Sequence, residues 1–237
     1  MQTTWRRFSA FFLGALLLVF IPGCLDIEEE IFMNADGSGT YATHIDLSGM
    51  MDMILMMAPD SVKDQMGDNP DAFLDSMFNS QETASSFATV VDDYNLMAGI
   101  SNTSYDILDG VMTIKYDFSD VAALSAALKS GNQGTNQLGI VPPAFTGKKG
   151  KLSRAQSGDG FEAEMDPELE SQMDMMKMMM GDATYTTRYH FPGQVKKAGN
   201  KDATITDGGK TVVLEVKLLD VLDDPSILNN DITFKKK

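Results

Sequence analysis

YDILDGVMTIKYDFSD, residues 105–120, decides the fold. Tyr105 and Ile107 lead into Asp109-Gly110, after which Met112, Ile114, Tyr116 and Phe118 alternate with Thr113, Lys115 and Asp117. Alternation with a period of two residues places one set on each side of a pleated strand, and Asp-Gly between two such runs is a hairpin turn. Ser119 then stands where a helix cap belongs, Val121, Leu124 and Leu128 form one helical stripe, and Gly131 marks its end. A hairpin that runs into a helix is the unit from which the rest of the chain is read.

The unit recurs on both sides. Ile27, Ile31 and Met33 share one parity while Glu28 and Glu30 take the other; Asp36-Gly37-Ser38-Gly39 breaks the run, and Tyr41, Thr43, Ile45 and Leu47 resume it. From Ser48 to about Met66 the pattern turns helical, with Met50, Met53, Ile54 and Met57 at helical spacing, and further helical stretches are expected near 71–78 and 82–91. Leu152 to Gln156 and Phe161 to Met165 read as a third hairpin around Ser157-Gly158-Asp159-Gly160, and Asp166-Pro167-Glu168 opens a helix that Gly181 ends. Tyr185, Thr187, Tyr189 and Phe191 form a strand face, and Ala203 to Thr206 pairs across Asp207-Gly208-Gly209 with Val212, Leu214, Val216 and Leu218. Hairpins give antiparallel neighbours, so the expected class is α+β, an antiparallel sheet of successive hairpins with helices packed on one face. Residues 24–237 read as a single domain with a mobile loop near 131–150, where Gly, Asn, Gln and Pro dominate.

The chain opens MQTTWRRFSAFFLGALLLVFIPGC. Arg6 and Arg7 precede an apolar run from Phe8 to Phe20, too short for the roughly 20 residues of a comfortable membrane span. Ile21-Pro22-Gly23-Cys24 resembles the lipobox of a bacterial lipoprotein signal. The resemblance implies that residues 1–23 are removed and that Cys24 becomes a lipidated first residue, its acyl chains holding the protein to a membrane. The chain's single cysteine occupies that position, which also leaves no intramolecular disulfide. The expected location is the bacterial cell envelope, with the outer membrane as the expected membrane; Leu25-Asp26-Ile27-Glu28-Glu29-Glu30 resembles a surface-export signal and keeps surface exposure open, against a plain strand face.

The formal charge is -15, and loss of Arg6 and Arg7 lowers it by a further two, so nucleic acid and anionic lipid surfaces are poor partners for the whole-chain field. Tyr116-x-Phe118-Ser119 entering a helix, and Phe191-Pro192-Gly193-x-Val195 followed by Asp207-Gly208-x-x-Thr211-Val212, resemble LppM-type domains of bacterial lipoproteins. That resemblance implies contact with envelope lipids.

Motifs that carry chemistry are few. Asn34, Asp36, Ser38 and Gly39 imitate the start of an EF-hand, but Ile45 stands where the bidentate Glu belongs. Gly209-Lys210-Thr211 imitates the end of a phosphate loop, but Thr204 replaces its first glycine and a β-branched strand follows. His44 and His190 lie far apart, and Asp92-Asp93 and Asp223-Asp224 read as solvated acids. No catalytic set, cofactor motif or assigned metal ligand emerges, and the chain is expected to be no enzyme.

Of 18 methionines, Met50, Met53 and Met57 fall on one expected helix and Met173, Met176 and Met180 on another. Three readings stay open. The methionines are adaptable core filler, or they line a plastic groove for a lipid, peptide or partner helix, or their thioethers select Cu(I) with Asp52, Asp174 or His44 completing the site. The reading carried forward is a lipid-anchored, non-enzymatic envelope protein binding an amphipathic ligand or protein partner through these helices. A copper-binding envelope protein and a purely structural scaffold are the alternatives.

Overall fold

The computed structural model describes residues 25–48, 81–108, 110–131, 142–148, 150–156 and 180–235. Among them strand predominates. The first hairpin forms as its alternation requires: β1 (Asp26–Met33) pairs antiparallel with β2 (Gly39–Asp46), from Asp26 opposite Asp46 to Met33 opposite Gly39. Helix α1 (Gln81–Leu96) leads into the second hairpin, β3 (Ile100–Leu108) and β4 (Val111–Phe118), and β4 lies against β2. Helix α2 (Val121–Gly131) follows as expected. Its cap is Asp120 and not Ser119, because the Asp120 carboxylate accepts the amides of Ala122 and Ala123, each at 2.9 Å.

Farther along come β5 (Ala144–Lys148), β6 (Lys151–Ala155), β7 (Thr184–His190), β8 (Val195–Lys197), β9 (Thr204–Thr206), β10 (Thr211–Lys217), helix α3 (Leu218–Asp223) and β11 (Asn230–Phe234). They complete two sheets in place of the expected single one: a seven-stranded sheet in the order β3-β4-β2-β1-β7-β10-β9 and a four-stranded sheet in the order β5-β6-β11-β8. Every pair is antiparallel except β1 with β7, which run parallel from Ile27 opposite Tyr185 to Phe32 opposite His190. A turn fixes the sense only of strands adjacent in the chain, and β1 and β7 are joined by no turn.

One further expectation is corrected. Leu152 pairs with Gly147 of β5, so the third hairpin uses Ala144–Lys148 as its partner strand, inside the stretch read as a loop near 131–150. Phe161 to Met165 lie outside the described residues, as do the expected helices at 48–66, beyond Ser48 itself, and at 71–78, and all of the one at 166–181 before Met180. Strand β11, for which no signal was read, pairs with both β6 and β8 and holds the small sheet together.

The sheets pack face to face. Ile31, Tyr41, Tyr116, Phe118, Tyr189 and Val212 of the large sheet meet Phe145, Leu152, Ile232 and Phe234 of the small one, with Val121, Leu124 and Ala127 of α2 closing one side of the same core. Each Ile, Val, Leu or Phe side chain among them contributes about 1.5–3 kcal/mol when fully buried. The Tyr94 ring of α1 meets Tyr116 at 5.3 Å, and Phe87 stacks on Tyr105 at 3.8 Å. Helix α3 brings Val221 onto Leu214, together with Leu228. Gly39 is required by close approach, since a Cβ there would stand 2.5 Å from Cζ of Phe118. Strand β3 carries a bulge between Ser101 and Ser104, where Asn102 takes φ 54° and donates its amide to Asp117 at 2.8 Å. Among the described residues no helix is long and apolar enough to cross a membrane.

Candidate functional site

The pleat that buries Ile31 and Met33 also buries Glu29, which shares their parity and is 1% exposed. Across the core, Arg154 shares the parity of Leu152 and is 4% exposed. The two meet between the sheets: Nη1 of Arg154 donates to Oε1 of Glu29 at 2.6 Å and to the Tyr189 hydroxyl at 3.1 Å, and Nη2 donates to Gln156 at 3.1 Å. Tyr185 donates its hydroxyl to the other Glu29 oxygen at 3.0 Å. The guanidinium also lies 5.6 Å from the Phe145 ring centre and 5.9 Å from that of Tyr185. Burial by itself would lower the Arg154 pKa, but the Glu29 carboxylate, with Tyr189 and Tyr185, outweighs it and holds the guanidinium well above its ordinary value. These groups are spent on one another, which makes them a clamp between the sheets and a poor acid–base pair.

All 6 tyrosines have raised pKa values, with burial the leading cause: Tyr41, Tyr94, Tyr116 and Tyr185, and Tyr105 and Tyr189, each pushed to about 12. The folded state therefore binds phenolic protons that the unfolded chain releases near pH 10. This stabilisation is complete below about pH 10 and is lost as pH rises through about 12. In an alkaline titration, phenolate absorbance should appear cooperatively, together with loss of the β-sheet circular dichroism. Gradual ionisation near pH 10 with the fold intact would contradict the assigned burial.

A cleft of about 530 Å³ opens at one end of the sandwich, within the size range of small-ligand sites. Its floor is the edge of the core, Met33, Val121, Phe145 and Phe234, none more than 8% exposed. The β1–β2 turn from Asn34 to Gly37 and the start of α2 from Asp120 to Ala122 form two walls, and Lys148 and Lys151 stand at the rim with Gly147 and Gly150. The rim acids are engaged in local structure: Asp36 accepts the amide and hydroxyl of Ser38, and Asp120 caps α2. What remains for a ligand is an apolar floor with the Lys148 ammonium at its edge.

The outer face of the large sheet gathers both histidines on one carboxylate. His190 Nε2 lies 3.2 Å and His44 Nε2 3.8 Å from Glu30, while Arg188 holds Glu28 at 2.6 Å and Glu30 at 3.4 Å. His190 stacks on Phe32 at 4.2 Å and contacts the Thr211 hydroxyl, and His44 contacts that of Thr113. Among the described residues no group of three or more His, Cys, Asp or Glu is arranged to hold a metal ion.

Cys24, Met50, Met53, Met57, Met173 and Met176 lie outside the described residues. Met180 is buried, packed with Ala183 and Leu218 beside Leu25, Ile27 and Tyr185. Sequence reasoning missed the Glu29–Arg154 clamp and the cleft. The clamp had a signal, since both charges stand at the parity of apolar neighbours; the cleft had none, because its walls come from four separate parts of the chain.

No family model matches the chain, and no curated protein matches it. Among solved structures the chain is similar to the folded domain of LppM from Mycobacterium tuberculosis, determined by NMR, at 13% identity and a TM-score of 0.38, with 92% of this chain and 94% of that one covered.

Proposed function

We propose that the chain is a lipid-anchored, non-enzymatic protein of the bacterial envelope whose domain binds an amphipathic ligand in the cleft beside α2. The cleft carries this reading: an apolar floor of Met33, Val121, Phe145 and Phe234 suits an acyl or other apolar tail, and Lys148 at the rim suits an anionic head. The lipobox-like leader and the placement of the single cysteine at position 24 support the anchor. Pairing of the most deeply buried charges, Glu29 and Arg154, supports a binding role over a catalytic one.

Ala122 is exposed on α2 and lines the cleft, so Ala122→Trp fills the space without disturbing the core. Titrated with a fluorescent long-chain fatty acid, the variant should bind at least about tenfold more weakly than the parent, a loss of about 1.4 kcal/mol, at unchanged melting temperature. Equal affinity in the two proteins would remove the cleft from the account.

A further inference from the structure

The small sheet has a second face. Register places Lys148 opposite Lys151, Lys151 opposite Thr233, and Thr233 opposite Lys197. Directly opposed residues share a side of the pleat, so Lys148 and Lys151 lie with Thr233 on the side away from Phe145, Leu152, Ile232 and Phe234, and Lys197, exposed on the edge strand β8, continues the row where the pairing shifts register between Thr233 and Phe234. All three lysines are exposed, as are Lys196, Lys201 and Lys235 nearby. Asp231 is the acid within the row, and it is occupied by Lys151 at 3.3 Å and by the Ser153 hydroxyl. The opposite outer surface, on the large sheet, carries Glu28 and Glu30. A chain of formal charge -15 thus carries a local row of cations on one β surface, while the outer face of the large sheet mixes Glu28 and Glu30 with Arg188.

We propose that this lysine face docks on the anionic headgroups of the membrane to which the protein is anchored. The occupant follows from charge complementarity and from reach. A flat row of ammonium groups on exposed strands matches a planar field of phosphates, and the row draws on the short-range surface potential that falls off within a Debye length. Position 24 is two residues before the start of β1, so an anchor there keeps the domain tethered at the membrane surface. This rests on the anchored reading. It also corrects what net charge implies, since the whole-chain field repels an anionic surface while one face attracts it.

The test uses the full mature lipoprotein reconstituted in vesicles of phosphatidylcholine alone or with about one-third phosphatidylglycerol. A water-soluble acylating reagent labels exposed lysines, and peptide mass spectrometry reads each position. Labelling of Lys148, Lys151 and Lys197 should fall at least about fivefold in the anionic vesicles, and about 0.5 M salt should restore it. Lys115, Lys129 and Lys217 serve as references and should not change. In the double variant Lys148→Glu with Lys197→Glu, protection of Lys151 should disappear. Equal labelling in both vesicles overturns the proposal, and so does protection by soluble polyglutamate without protection by anionic vesicles, which would assign the face to an acidic protein. Flotation with neutral vesicles reports the anchor separately. If the protein fails to float with them, flotation with anionic vesicles alone still supports the face, and flotation with neither overturns it.

Discussion

Arg154→Met alone should destabilise the domain by about 3–5 kcal/mol, and adding Glu29→Leu should return a large part of that loss. The side chains of both partners are 2% exposed, and the ion pair closes at 2.6 Å between strands of different sheets. Removing the guanidinium leaves a carboxylate in the core with only the hydroxyls of Tyr185 and Tyr189 to stabilise it. Removing both charges leaves those hydroxyls without the carboxylate, which costs about 1–3 kcal/mol per unsatisfied group but no longer strands a charge. The double variant should therefore be more stable than Arg154→Met although it deletes more contacts. Urea denaturation of the four proteins of the cycle gives the coupling directly. Additive losses would show that the two charges do not depend on each other.

The second large effect concerns the leader. If the proposed anchor holds, Cys24→Ala should abolish incorporation of labelled palmitate and stop removal of residues 1–23, because the thiol proposed to receive the first lipid is gone. Loss of a thioether anchor is all-or-none, whereas each methylene of a retained chain is worth about 0.8 kcal/mol of membrane affinity. Labelling that persists in Cys24→Ala would mean that lipid enters at another residue, and since this is the chain's only cysteine, that residue would have to use an ester or amide.

Strands whose alternation is long and whose partner is next in the chain were legible from sequence. β1 with β2 follows its apolar parity over eight residues each, β3 with β4 follows Asp109-Gly110 and the alternation from Met112 to Phe118, and β9 with β10 follows Asp207-Gly208-Gly209. β5 and β11 were not legible. AFTGK offers Phe145 as its only large inward side chain, with Gly147 lying under Val121, and NDITF opens on two polar residues. Five residues give alternation too little room, and the partners of β11 are brought to it by the fold and not by a turn. The parallel β1–β7 pair escaped for the same reason.

The candidate site divides in the same way. Glu29 was visible as a charge at the parity of Ile27 and Ile31, and Arg154 as a charge at the parity of Leu152. A charge on an apolar face asks for a buried partner, but sequence cannot name a partner 125 residues away. The lysine row was hidden by summation, since a formal charge of -15 says nothing about where the cations lie. The methionine stripes drew attention through abundance, yet Met180 lies in the core beneath α3.

A native mass spectrum of the mature protein, extracted from bacterial membranes in mild detergent without refolding, distinguishes an anchored, ligand-carrying domain from a bare one. It should show a polypeptide beginning at Cys24 and heavier than its sequence by diacylglyceryl and acyl groups, carrying in addition a non-covalent amphipathic ligand that Ala122→Trp fails to retain. An unmodified polypeptide with no bound ligand, in parent and variant alike, would contradict both the anchor and the cleft.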